Sequence, residues 1–488
     1  MFFNSFTYIF VFFPLVVAIY FLLNGSGRHK VARVWLIVAS LFFLGWNSLT
    51  SVFMLLFSAL INFMVGLLLS GREKAKAGDF PTPAGATEKK HWADTFRKWI
   101  LLAGIVFNIL LLGFFKYSNF FISNLNAIGN AHIKLLQLGI PLAISFYTFQ
   151  QLAYLVDTYR GQVRERDFLN YCLFIFFFPR LLMGPICRYQ ELMPQFSATE
   201  KTPNYENMSM GLYIFFIGLC KRVVVADTFG IYVDYGFSSP APLTFVEGWI
   251  TSLSYTFQIY FDFSGYTDMA IGSAYFFNIK LPFNFNSPYL SLNIRDFWRR
   301  WHITLSAFLK DYIYIPLGGS RKGEIVTAMN ILFTFLLAGL WHGAGWTFIV
   351  WGGLHGLALI VNRAWHKLNF RMYKPVALLL TFSFLNIAWV FFRASDMDSA
   401  FNILKAMTGM NGFWGVITFG SIEFLDKVTG MIIALISIAT VFIAKNTNFI
   451  PERFHPSGRQ LAATVAVILL GLFYLNSVLP KGFLYIDF

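Results

Sequence analysis

Four side chains in this sequence have the type and setting to do chemistry: His342 in GLWHGAGW, His302 in FWRRWHITLS, and Arg295 and Arg299 just ahead of His302. His342 lies between two apolar runs and is flanked by Gly339, Gly343, Ala344 and Gly345, small residues that let the backbone turn or approach another group. A neutral imidazole there can take a proton, which is what a general base needs when a hydroxyl attacks a thioester. The same setting also fits a histidine bonded to a backbone carbonyl between two helices. Read as one helix, 292–315 repeats Ile294, Trp298, Trp301, Leu305, Phe308, Leu309 and Tyr312 at three- and four-residue spacing. At about 100° per residue, Arg295, Arg299, His302 and Ser306 fall within about one quarter of that helix's circumference. Two arginines on such a face can grip an anionic donor such as the phosphates of coenzyme A, with His302 at the entrance to the reaction centre. They can equally face lipid phosphates beside an interfacial histidine, and spacing alone does not decide.

Other chemistries find less support. There is no G-x-S-x-G elbow, GxxxxGK[ST] loop, HExxH or GxGxxG. A metal site drawn from His302, His342 and His355 has separations of 40 and 13 residues, which match no local ligand motif. His355, in WGGLHG, reads first as a helix-packing residue and second as a partner of the site. His29, His91, His132, His366 and His455 fall in loops or at span ends and take no role. Cys172, Cys187 and Cys220 form no CxxC pair and read as small core residues. With no Ser or Cys nucleophile beside a base, direct transfer in a ternary complex is favoured over a covalent acyl-enzyme.

The elements that must position these residues are membrane spans. Hydrophobic residues make up 57% of the 488 and charged residues only 13%, against about a quarter charged in soluble domains. Long apolar runs cover 7–24, 51–70, 100–115, 429–444 and 460–478. Weaker candidates lie near 34–46, 138–156, 168–183, 209–225, 246–262, 326–361 and 376–392. The expectation is an all-α polytopic membrane protein with roughly eleven transmembrane or re-entrant helices, plus surface amphipathic helices. The whole chain, 1–488, reads as one membrane domain, without a fixed-period repeat or a Pro/Ser-rich linker. The first run has no basic residue before it and no small-residue cleavage site after it, so it reads as a span rather than a cleaved signal.

Charge sets the orientation. Arg28, Lys30 and Arg33, the polar loop 71–99, and Arg160, Arg164 and Arg166 all fall on one side if the runs alternate. By the positive-inside rule that side is cytoplasmic and the N-terminus lies outside, in the periplasm. A second extramembrane piece is expected at 393–428. The net charge of +14 sits in short loops beside apolar runs, so its partners are anionic membrane lipids and not nucleic acid. The stretch 262–356 stands apart, being rich in Trp, His, Arg, Gly and Pro. It opens with DFSGYTDMAIG, too polar for a lipid-facing span, and passes through LPFNFNSPY, where Pro282 and Pro288 break regular structure. This is the expected catalytic region.

These segments resemble the membrane-bound O-acyltransferase family, and within it the bacterial alginate O-acetyltransferase branch. The resemblance is carried by LGIPLAISFYTFQQLAYLVDTYRG (138–161), MGPICRYQELMPQF (183–196), YFDFSGYTDMAIG (260–272) and FFRAS (391–395). It is carried most specifically by 281–323 and by LAGLWHGAGWTFIVWGGLHG (337–356). It implies a ring of tilted helices around a thin central region, with a cytoplasmic tunnel and an outer funnel. It implies that His342 is the catalytic residue and His302 a second one on the cytoplasmic approach. The donor is then acetyl-CoA with no permanently bound cofactor, and the acceptor an alginate-like exopolysaccharide, reached directly or through a periplasmic acetyltransferase partner. The bacterial inner membrane is the implied location. The branch also acts on cellulose, peptidoglycan and other glycans, which the motifs do not separate.

Two other classes remain in view. A transporter or channel would use the polar intramembrane groups as a permeation path, but its coupling carboxylates would have to be Asp262 and Asp268, inside a motif that matches the acyltransferases. A non-catalytic scaffold of a polysaccharide secretion complex would carry the same histidines as relics.

Overall fold

The computed structural model describes residues 1–70, 86–129, 131–198, 202–239, 241–413, 424–443, 446–454, 457–477 and 484. Among these there is no strand. Seven helices are long and apolar enough to cross a membrane: Thr7–Gly25, Leu49–Ser70, Asp94–Gly129, Tyr205–Ser238, Glu324–His342, Lys374–Arg393 and Gly458–Asn476. The chain is a multi-pass membrane protein, and it forms two compact units.

The first unit comprises Met1, Thr7–Pro203 and Phe277–Leu281. A π-turn at Thr7–Phe12 leads into α1 (Phe13–Gly25), followed by α2 (His29–Gly45), α3 (Leu49–Ser70), α4 (Ala86–Leu112), α5 (Ser118–Gly129), α6 (Ile144–Tyr159), α7 (Phe168–Phe176), α8 (Phe178–Leu181) and α9 (Tyr189–Ala198). Lipid offers no hydrophobic drive between helices, so buried polar side chains and small residues join them. Gln151 on α6 accepts from Ser58 (2.8 Å) and Asn62 (3.0 Å) on α3, and Asn62 accepts from Asn108 on α4 (2.6 Å). The polar stretch expected at 71–99 needs correction. Residues 71–85 lie outside the described residues, and 86–99 are not a loop but the opening of α4. Its Ala, Glu, Lys and Arg are strong helix formers, and an apolar span already nucleated at 100–112 propagates through them.

The second unit comprises Phe2–Phe6, Asn204–Phe276 and Pro282–Phe488. Its helices are α10 (Tyr205–Cys220), α11 (Asp227–Ser238), α12 (Phe245–Tyr275), α13 (Ile294–Arg300), α14 (Ile303–Leu309), α15 (Glu324–His342), α16 (Trp346–Lys367), α17 (Lys374–Arg393), α18 (Met397–Met407), α19 (Phe424–Ile443), α20 (Ile450–Arg453) and α21 (Gly458–Ser477). The piece expected outside the membrane at 393–428 begins with α18, capped by Asp396 accepting from Ser399 N–H at 2.7 Å; 414–423 lie outside the described residues.

The axis of this unit is α12, 31 residues long and started by a capping box between Thr244 and Glu247. DFSGYTDMAIG sits in its buried middle. The two carboxylates there are paired: Asp262 with Arg222 at 2.6 Å and Asp268 with Lys221 at 2.7 Å. Thr447 adds a hydroxyl to Asp268 at 3.0 Å. Charges at membrane depth persist only when paired in this way. The cations come from the turn after α10, so α10 must lie against α12. Glycines allow it: a Cβ on Gly218 would stand 2.5 Å from the Gly265 carbonyl oxygen, and one on Gly272 would stand 2.6 Å from that of Gly211.

This contact predicts the outcome of overpacking. Gly218→Val should destabilise the folded protein by about 1–3 kcal/mol, since two methyl groups enter a space already filled by backbone. Thermal unfolding in detergent checks it, with exposed Gly25→Val as the neutral control.

Candidate active site

The segment expected as one helix over 292–315 is broken. Asn293 caps α13 by accepting from Asp296 N–H at 2.9 Å, and α13 ends at Arg300. Trp301 is extended (φ −105°, ψ 129°), His302 takes the left-handed conformation (φ 42°, ψ 54°), and α14 starts at Ile303. Trp301 and His302 are both buried at the break, each 1% exposed. Trp301 packs on Phe285 and Trp389, ring centres 5.0 Å away in each case.

A break inside a membrane protein leaves backbone groups that water cannot reach. Asn284, in LPFNFNSPY, satisfies them. Its carbonyl accepts from Ile303 N–H at 3.0 Å. Its side-chain oxygen accepts from Thr304 N–H at 3.2 Å and from the Thr304 hydroxyl at 2.7 Å. On the other side of the break, Asn286 N–H donates to the Arg300 carbonyl at 2.9 Å.

The break divides the residues expected on one face. Arg295, Arg299 and Ser306 still look into one space, a cavity of about 680 Å³ walled by Trp298, Leu309, Ile331, Thr334 and Phe335. His302 does not line it. Lys310, Arg363, His366 and Lys367 also line this cavity. The carboxylate of Glu324 pairs with Arg363 at 2.9 and 3.0 Å and with Lys367 at 3.1 Å. The cavity is therefore strongly cationic, shaped to take a ligand with several negative charges and an apolar arm.

His302 points the other way. Its ring stands edge-on to Phe263 at 4.7 Å and lies 6.4 Å from Trp341. Neither ring nitrogen has a hydrogen-bond partner among the described residues. His302 lies outside the seven spanning helices. Burial with no compensating charge pushes its pKa down to about 3, so the ring is neutral at physiological pH.

His342 is the last residue of α15, at the tip of the hairpin that Gly343, Ala344 and Gly345 close into α16. The hairpin is tight because Gly339 meets the Phe348 carbonyl and Gly352 meets that of Phe335, with no room for a Cβ at either. His342 is 4% exposed and ringed by Trp341, Trp351 and Phe392 at 4.7, 5.1 and 5.0 Å. Trp341 thus neighbours both histidines. Between His342 and the cationic cavity stands an aromatic layer: Trp298 lines the cavity, Trp351 lies 6.0 Å from it, and Trp351 touches His342. Trp298 Nε1–H donates to His355 Nδ1 at 3.3 Å, which fixes the indole. His355, fully buried, holds this layer as well as packing the helices.

The sequence marks Trp298 only as a core position and does not single out Asn284, Trp351 or Phe392. Phe392 lies in the FFRAS motif, and the prolines around Asn284 mark a break, but the pairing of residue 284 with 303–304 is tertiary. Among the described residues no three His, Cys, Asp or Glu side chains are grouped to hold a metal.

Comparison with known proteins adds to this geometry. The profile of the membrane-bound O-acyltransferase family matches residues 160–395, which contain α13 to α16. The chain is similar to a peptidoglycan O-acetyltransferase of Helicobacter pylori, 40% identical over 100% of this chain and 97% of the relative. It is also similar to a probable alginate O-acetylase of Pseudomonas putida, 36% identical over 91% and 86% of the two chains. A teichoic acid D-alanyltransferase of Bacillus subtilis is 29% identical over 51% and 68%.

The role of Asn284 is testable on stability. Asn284→Ala removes the acceptor for Thr304 N–H and hydroxyl, and should cost about 1–3 kcal/mol by leaving buried donors unpaired. Chemical denaturation of the purified protein measures it; a change within a few tenths of a kcal/mol would contradict the role.

Proposed function

Because the chain belongs to the membrane-bound O-acyltransferase family, we propose that it is an inner-membrane O-acetyltransferase that moves an acetyl group from acetyl-CoA toward hydroxyls of a glycan outside the cytoplasm. The observation that carries the reading is the cationic cavity backed by an aromatic layer with His342 behind it. The phosphates of the donor fit among Arg295, Arg299, Lys310 and Arg363, and the uncharged arm that carries the thioester fits the apolar floor at Thr334 and Phe335. Positive-inside logic places the Arg321, Lys322, Arg363 and Lys367 end of the α15–α16 hairpin in the cytoplasm. His342 then lies about 27 Å away along α15, and about 11–12 Å beyond the cavity's innermost residues on that helix.

In this mechanism His342 takes the proton of the attacking hydroxyl as its oxygen bonds to the thioester carbonyl carbon. The C–S bond breaks, the imidazolium returns the proton to the departing sulfur, and the products are an ester and a free thiol. His302 acts as a positioning residue through Trp341, which neighbours both imidazoles. A periplasmic acetyltransferase completes delivery where the acceptor is a polymer. For that acceptor, peptidoglycan is favoured by the relative matched over 100% of this chain and 97% of its own. An alginate-like exopolysaccharide is the second reading, supported by the relatives at 34–36% identity.

Two outcomes follow. His342→Ala should lower glycan O-acetylation by about 100-fold or more at an unchanged level in the membrane; unchanged acetylation would refute a general base and favour a scaffold. Arg295→Gln and Arg299→Gln should each raise the KM for acetyl-CoA about tenfold with a much smaller change in kcat, the mark of lost ground-state binding. Steady-state kinetics on purified protein separates this from a transporter, which would show solute flux without acyl transfer.

A further inference from the structure

The far side of α16 holds a second cavity, of about 890 Å³, between α16, α17 and the strand of chain that enters α13. Its walls are apolar, with Leu354, Leu357 and Val361 facing Leu380 and Phe384. One end is different in character. There the connection from α16 to α17 reads WHKLNFRMYK (365–374), with His366, Lys367, Arg371 and Lys374 and no acidic residue. Of these, His366, Arg371 and Lys374 line the cavity. Arg371 and Lys374 are exposed and form no ion pair among the described residues. Trp365 and Phe370 stack edge-to-face at 5.4 Å beside them, and Trp365 is of the amphipathic kind enriched at the membrane–water boundary.

The dimensions match a lipid. From Lys374 to Phe384 the groove runs about 15 Å along α17, the thickness of one leaflet of a hydrocarbon core of about 30 Å. We propose that this groove binds one anionic glycerophospholipid, its acyl chain between α16 and α17 and its phosphate among His366, Arg371 and Lys374. A zwitterionic headgroup is disfavoured because no carboxylate at the rim can receive its ammonium. The groove's walls do not include His342, Arg295 or Arg299, although Asn362 and His366 line both this groove and the cationic cavity.

Native mass spectrometry of the full chain in detergent tests this, titrating phosphatidylglycerol against phosphatidylcholine. One phosphatidylglycerol should bind in preference. Arg371→Gln/Lys374→Gln should weaken it about 25-fold, from about fivefold per cation, and leave phosphatidylcholine unchanged. Ala358→Phe, which fills the apolar wall, should remove the bound lipid while circular dichroism stays that of the unaltered protein. Equal binding of the two lipids, or undiminished phosphatidylglycerol on the double variant, would overturn the proposal. So would displacement by millimolar inorganic phosphate, which would make it a free-phosphate site, or a copurifying polypeptide in the groove.

Discussion

Everything at the candidate site depends on one constraint: a chain buried in a membrane protein cannot leave backbone groups unpaired. The bend at Trp301 and His302 breaks a helix in that setting, and it is tolerable because Asn284 receives the freed groups of Ile303 and Thr304. From that single arrangement follow two faces. One presents Arg295, Arg299 and Ser306 to a cavity, and the other sends Trp301 and His302 into a packed aromatic core. A continuous helix would keep His302 on the face of Arg295, Arg299 and Ser306.

The second contribution is from small residues. Gly339 and Gly352 let the two arms of the α15–α16 hairpin touch backbone to backbone, and Gly211, Gly218, Gly265 and Gly272 do the same for α10 and α12. In lipid, where apolar surface gains little from burial against another helix, such contacts and the pairing of Asp262 and Asp268 with Arg222 and Lys221 hold the unit together. The hairpin tip that carries His342 stands apart from the cationic mouth of the cavity, with Trp298 and Trp351 between them.

Much of this was legible in the sequence, for physical reasons that also set the limits. Apolar runs reveal spans because length and hydropathy are local properties, and the polarity of DFSGYTDMAIG revealed that α12 could not face lipid. Glycines beside His342 signalled close approach, which Gly339 bears out. The periodicity of 292–315 found Ile294, Trp298, Trp301, Leu305, Phe308 and Leu309, all in the core, but also named Tyr312, which is half-buried, and left out Phe297 and His302, which are buried. It failed on their path, because period is blind to one residue in a left-handed conformation. The partner that permits the kink lies twenty residues earlier, a relation no pattern encodes. The boundary of α4 was missed for the opposite reason: charged residues read as loop, yet they propagate a helix as readily as leucine does.

The central claim is that an anionic acyl donor occupies the cavity lined by Arg295, Arg299 and Ser306. The most direct measurement is the alkylation rate of a Ser306→Cys variant by a charged thiol reagent, with and without acetyl-CoA. Cys172 and Cys187 are buried, and the unaltered protein supplies the background. The account predicts that acetyl-CoA slows alkylation in proportion to its occupancy, whereas S-acetylpantetheine, which has the thioester arm and no phosphate, does not at equal concentration. Alkylation that is indifferent to saturating acetyl-CoA would contradict it.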